Sequence, residues 1–209
     1  MGTDIHGRIQ ARWSIDREYQ DEGPIEDDRN YKVFAMLAGV RNGFGFAGVE
    51  THVPIVPISQ PRGLPEHLGI KETDWETSPA SKRYFSSSDF GDHSFSWVTL
   101  SELINWDGWY KTLKLRGIVE KREWLRMKES GDGRPNEWCG GISGGDIAIV
   151  SPENANVDSN YTHVEFSWEV PFNETCATFK AWVDYLKLKH GYRLEKDPAA
   201  IRLVFGFDS

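Results

Sequence analysis

YTHVEFSWEV (residues 161–170) alternates apolar and polar side chains without a break, placing Val164, Phe166, Trp168 and Val170 on one face. A period of two is the signature of a strand with one buried face. The chain continues with FNETCATFKAWVDYLKLKHG (172–191), where Cys176, Phe179, Val183 and Leu186 recur at helical spacing and Gly191 offers a stop. AIRLVFGFD (200–208) then alternates again, with Ile201, Leu203, Phe205 and Phe207 on one side. Strand, helix and strand in succession imply a crossover unit feeding a sheet.

The first strand covers residues 4–13 and is expected in the same sheet as 161–170 and 200–207, with the 175–190 helix packed on a face. Ile5, Ile9, Ala11 and Trp13 take its apolar side, and Asp4, His6, Arg8, Gln10 and Arg12 take the other. That second side is too polar for a core, so it faces either solvent or a site. No linker or internal repeat interrupts the pattern. The expected architecture is a single α+β domain over residues 1–209, a mixed or antiparallel sheet with helices packed on it and long irregular loops.

Elsewhere the elements are shorter. DREYQDEGPIEDD (16–28) reads as an acidic loop, and RNYKVFAMLAG (29–39) as a helix capped by Asn30 and closed by Gly39. Glycine and proline punctuate residues 41–90, which excludes long regular elements there. SWVTLSELINW (96–106) holds a capping box, Thr99 with Glu102, ahead of Leu100, Leu103 and Ile104. Residues 107–129 read as helical. Lys111, Lys114, Arg116, Lys121, Arg122, Arg126 and Lys128 give that segment a basic surface, read as a solvated face rather than a phosphate site.

Composition narrows the function. The chain of 209 residues carries a net charge of −8, which excludes nonspecific nucleic-acid binding as its main task. Two cysteines make no disulfide framework, so a reducing, cytoplasmic setting is expected. No apolar run approaches the roughly 20 residues of a membrane span, and no signal pattern opens the chain.

Several groups of residues are candidates for chemistry. Asp4 and His6 share a face of the first strand. DFGDHSFSW (89–97) brings His93, Ser94 and Ser96 after a Gly91–Asp92 turn, expected to point at the N-terminus of the Thr99-capped helix, where anions are favoured. His163 and Glu165 share the polar side of their strand. Imidazole and carboxylate suit a divalent metal, although no spacing such as HExxH is present. WCGGISGGD (138–146) contains a G-x-S-x-G string at 141–145, but DIAIV after it reads as a strand rather than the helix of a nucleophile elbow. GFGFAG (43–48) precedes Pro54 and Pro57, not a helix, and is rejected as a phosphate loop.

Five blocks carry a resemblance: the opening Gly-x-Asp-Ile-His, RNYKVFAMLAGVRN, PRGLP, HSFSWVTLSEL and the closing IRLVFGFD with its Arg-Leu-Val-Phe-x-Phe-Asp pattern. In this order they resemble a family of uncharacterised proteins widespread in bacteriophage and bacterial genomes. Its members typically have Cys where Thr3 stands. The resemblance implies a small intracellular, phage-associated protein in the host cytoplasm and supplies no activity.

The expected site is therefore a polar pocket. Asp4, His6 and His93 serve as acid/base groups or as ligands of a divalent metal; Arg41 and Asn42 hold an anion, and Ser94 and Ser96 position it. The expected function is binding, with hydrolysis as an option, of a small phosphorylated or nucleotide-like ligand. The alternative is a noncatalytic inhibitor of a host defence protein, acting through an acidic, Trp-rich surface.

Overall fold

The computed structural model describes residues 2–26, 29–43, 54–77, 80–156 and 160–208. Its strands are β1 (Ile5–Ala11), β2 (Gln20–Pro24), β3 (Ile70–Asp74), β4 (Ser81–Tyr84), β5 (His93–Thr99), β6 (Thr112–Glu120), β7 (Ile149–Val150), β8 (His163–Pro171) and β9 (Ile201–Phe207). Its helices are α1 (Tyr31–Ala38), α2 (Leu100–Ile104), α3 (Lys121–Ser130), α4 (Phe172–Thr175) and α5 (Ala177–Lys196). The class is α+β. The chain folds as two compact units, one of residues 1–40, 56–107 and 176–209, the other of 41–55 and 108–175.

The first unit is built on a six-stranded mixed sheet of order β4-β3-β2-β1-β9-β5. β9 runs antiparallel to both β1 and β5, from Ile5 against Phe207 to Ala11 against Ile201 on one side. All seven of its residues are buried, as expected for a central strand covered on both faces. Phe207 meets Phe34 of α1 edge-on at 5.2 Å on one side of the sheet. On the other, Val204 packs with Phe85 and Phe90, bordered by Leu64, Leu68, Phe95 and Trp97. The side chain of Asn30 accepts the Lys32 N–H and Gly39 closes α1 at φ 69°, while Thr99 and Glu102 form the capping box of α2.

The second unit holds the sheet β6-β8-β7. Here the expected architecture needs correction. The strand read at 161–170 exists as β8, but it pairs along its whole length with β6, from Thr112 against Pro171 to Glu120 against His163. It is not in the sheet of β1 and β9, so no crossover unit links it to β9. Phe166 and Trp168 accordingly lie on β8 of the second unit, and Phe166 borders a core of that unit. Val119, Trp124, Tyr161 and Val164 form that core, with Trp138 and Phe166 against them. Alternation specifies a half-buried strand but says nothing of its partner. The partner was hidden because its basic residues suggested a helix face. TLKLRGIVE in fact alternates, with Leu113, Leu115 and Val119 inward and Lys114 and Arg116 less buried. Of the segment 107–129, a 3-10 turn covers Asp107–Tyr110 and the α-helix starts only at Lys121.

Three smaller expectations also shift. The acidic stretch 16–28 contains β2, paired with β1. Helix α5 runs through Gly191 to Lys196, and Asp197, extended ahead of Pro198, ends it. His93 opens β5 and is not in a turn at the α2 N-terminus. Thr99, the cap of α2, stands six residues further on, about 20 Å of extended chain away. The element that follows GISGG is the strand β7, not a helix, in keeping with rejection of the elbow. GFGFAG lies outside the described residues apart from Gly43. No helix is long and apolar enough to cross a membrane among the described residues.

Candidate functional site

The register of β1 against β9 settles where the opening Asp and His go. Partners in this pair sum to 212, so Asp208 stands opposite Asp4, one step beyond the Ile5–Phe207 pair. Two bonds close that end: Asp4 N donates to Asp208 Oδ1 at 3.1 Å, and Asp208 N donates to the Asp4 carbonyl at 3.2 Å. His6 Nε2 lies 2.8 Å from Asp208 Oδ2. Arg29 donates from Nε and Nη2 to the two oxygens of Asp4, each at 2.5 Å. The Arg29 guanidinium holds the Asp4 carboxyl below its usual range, and the bond from His6 does the same for Asp208. Asp4 and His6 are thus brought together, through a carboxylate and a guanidinium that the sequence reading did not single out. All four side chains are about half exposed.

The other expected members lie elsewhere. His93 is registered with Phe207, whereas His6 is registered with Gly206, so the pleat sends the two imidazoles to opposite faces. The His93 ring stacks on Phe207 with centroids 6.1 Å apart, and its Nδ1 is 3.0 Å from Ser94 Oγ. Ser96 is fully buried, its hydroxyl accepting the Arg62 N–H at 3.1 Å. Arg41 and Asn42 belong to the second unit. Asn42 clips its own loop there, donating to the Ile55 carbonyl at 2.6 Å and accepting the Ile55 N–H at 2.8 Å. Among the described residues, no three His, Cys, Asp or Glu side chains are grouped to hold a metal ion.

The polar side of β1 leads instead to a cavity. Gln10, although polar, is completely buried. It donates to the Leu68 carbonyl at 2.6 Å, and its Oε1 accepts from Nε of Arg202, its partner across the β1–β9 ladder, at 2.9 Å. Arg202 is 6% exposed. Its Nη2 donates to the His67 carbonyl at 2.5 Å and its guanidinium lies 3.8 Å from the centre of the Tyr19 ring. Arg12 approaches the same ring at 5.0 Å, while its Nε is bonded to Asp197. Arg202 has no carboxylate partner among the described residues. Burial, with Arg12 nearby, pulls its pKa down to about 10, so it remains charged at neutral pH.

This guanidinium lines a cavity of about 650 Å³, within the range of small-molecule sites. Ile15, Pro65, Leu68, Tyr84 and Phe85 add apolar and aromatic wall, and Asp16, Arg17, Glu18 and Glu66 also line it. Gly69 makes the wall possible. At φ +82°, it leaves room where a Cβ would stand 3.0 Å from the Gln10 amide. The second unit has a cavity of about 620 Å³ lined by Glu123, Arg126, Trp138, Cys139 and His163. Its Arg126 bonds both Glu123 and Asp132.

Sequence reasoning missed the Arg202 site because residue 202 fell on the side of the strand opposite the apolar stripe. The signal was present in the sum rule. Once β1 and β9 are paired in antiparallel register, Gln10 and Arg202 must face each other. No protein-family model, curated protein or solved structure matches this chain.

Proposed function

We propose that this chain binds a small phosphorylated or nucleotide-like molecule in the Arg202 cavity, with the anionic group on the guanidinium and the ring system against the aromatic wall. One observation carries this reading: a buried arginine without a carboxylate partner, on the wall of a cavity of ligand size. Burying a charge costs several kcal/mol, and a matching anion offsets much of it. Arginine is suited to the task because its planar fork donates two parallel bonds to phosphate or carboxylate. The Tyr19 ring and the carbonyl of His67 hold that fork in place before any ligand arrives.

The rival reading, an acidic surface that engages a host protein, receives less support. Within 16–28, Asp21 is paired with Arg8, Glu22 with Lys189 and Arg193, and Glu18 with Lys82. These carboxylates are already matched.

A thermal-shift series tests the proposal with a nucleoside monophosphate, its parent nucleoside and inorganic phosphate. The monophosphate raises the unfolding midpoint, with a stabilisation of about 2.7 kcal/mol at a hundredfold excess over Kd. Arg202→Gln and Tyr84→Ala each abolish or reduce the shift, the second on an exposed wall where folding is not at stake. A midpoint unmoved by every phosphorylated compound overturns the proposal.

A further inference from the structure

Helix α5 buries four side chains at helical spacing, Phe179, Val183, Leu186 and His190. Three are apolar. The fourth is a titratable ring, 3% exposed, whose Nε2 has no hydrogen-bond partner among the described residues. A neutral imidazole is held there at modest cost, but an imidazolium would be a buried charge with a donor left unmatched. The charges that act on the ring are few. Glu22 comes from β2, and Lys189 and Arg193 from α5 itself; α2 and β9, which pack against the helix, supply none among the described residues. Glu22 is already shared by Lys189 at 3.0 Å and Arg193 at 3.4 Å. A proton on His190 is therefore a third positive charge around one carboxylate. Burial, opposed by Glu22, holds the pKa of the ring below its ordinary 6.5.

The same end of α5 supports the Arg202 cavity. The Arg193 carbonyl accepts the Asp197 N–H at 2.9 Å and closes the helix. Asp197 in turn takes Nε of Arg12 at 2.9 Å, and the Ala199 carbonyl takes the Tyr19 hydroxyl at 2.5 Å. Arg12 and Arg202 both lie against the Tyr19 ring. We infer, resting on the binding reading above for the ligand, that His190 is an acid-sensitive latch: its protonation frees the C-terminal half of α5 and thereby loosens Arg12 and Tyr19 around Arg202. Above about pH 6.5 the ring is neutral whether α5 is docked or free, and docking has its full stability. Below that value the freed helix takes up a proton that the docked one resists. Release then gains by up to about tenfold per pH unit, until the docked ring itself protonates.

Hydrogen exchange of the full chain, corrected for the intrinsic rate at each pH, tests the latch at about pH 7.5 and about pH 5.5. Acid strips protection from residues 186–196 in the wild type, whereas His190→Leu and His190→Gln, which cannot titrate, keep it. Glu22→Gln, with the ring intact, deepens the loss, so the test does not depend on the fold tolerating a change at 190. Calorimetric titration with a nucleoside monophosphate at the same two pH values reads the coupling. The wild type loses at least about threefold more affinity than His190→Leu on acidification, the protonation of the ligand being common to both. Equal loss of protection in wild type and variants overturns the latch and leaves the binding reading standing. Release of α5 with equal loss of affinity overturns its coupling to the cavity. Absence of binding at both pH values overturns the binding reading, and the exchange data alone then decide the latch.

Discussion

At the scale of single residues, Gly69 and His6 show how differently two positions near polar groups behave. Gly69 combines a left-handed backbone with close approach to the Gln10 amide. Gly69→Ala is expected to cost about 1–2 kcal/mol, since an L-residue at that φ is strained and the amide must move. Denaturant melts measure the loss, and the same variant should weaken monophosphate binding because Gln10 orients Arg202. His6 is a contrasting case. Its bond to Asp208 joins two half-exposed groups, so His6→Ala should change stability by less than about 1 kcal/mol. The Asp4 site has a further constraint. Arg29 already takes both carboxylate oxygens, so a divalent ion on Asp4 would have to displace a guanidinium.

At the scale of elements, two helices give separate tests. Glu102 closes the capping box of α2 and also bonds Arg62, whose guanidinium is the main reason its carboxyl falls from 4.5 to about 2. A carboxyl whose folded pKa is depressed contributes stability above its unfolded pKa and loses it as pH falls through the folded value. The wild type should therefore lose stability between about pH 4.5 and 2, and Glu102→Gln should flatten that part of the curve. Unfolding midpoints across the acid range measure it. Helix α5 is anchored by Phe179, which is 2% exposed. Phe179→Ala is expected to cost about 3–5 kcal/mol in chemical denaturation, as large-to-small core changes do.

At the scale of the whole molecule, β1 and β9, far apart in sequence, are neighbours in one sheet, where β9 lies between β1 and β5. Exchange of the β9 amides should be limited by global unfolding, slower than those of the edge strand β4. Mass-resolved hydrogen exchange reads this directly. Local elements are legible in the sequence. Asn30 and Gly39 bound α1, Thr99 and Glu102 cap α2, and alternation marks β1, β8 and β9, because capping and periodicity act within a few residues. Strand partnership was not legible in the same way. β6 carries its inward Leu113, Leu115 and Val119 between lysines and arginines, and β8 chose it over β1 and β9. The candidate site followed the same division. Asp4 and His6 were visible as a pair on one strand face, whereas Asp208, Arg29 and the Gln10–Arg202 contact depend on which residues stand opposite one another. That choice is made by long-range burial and register, through contacts between residues as far apart as 10 and 202, and a local pattern contains no term for it.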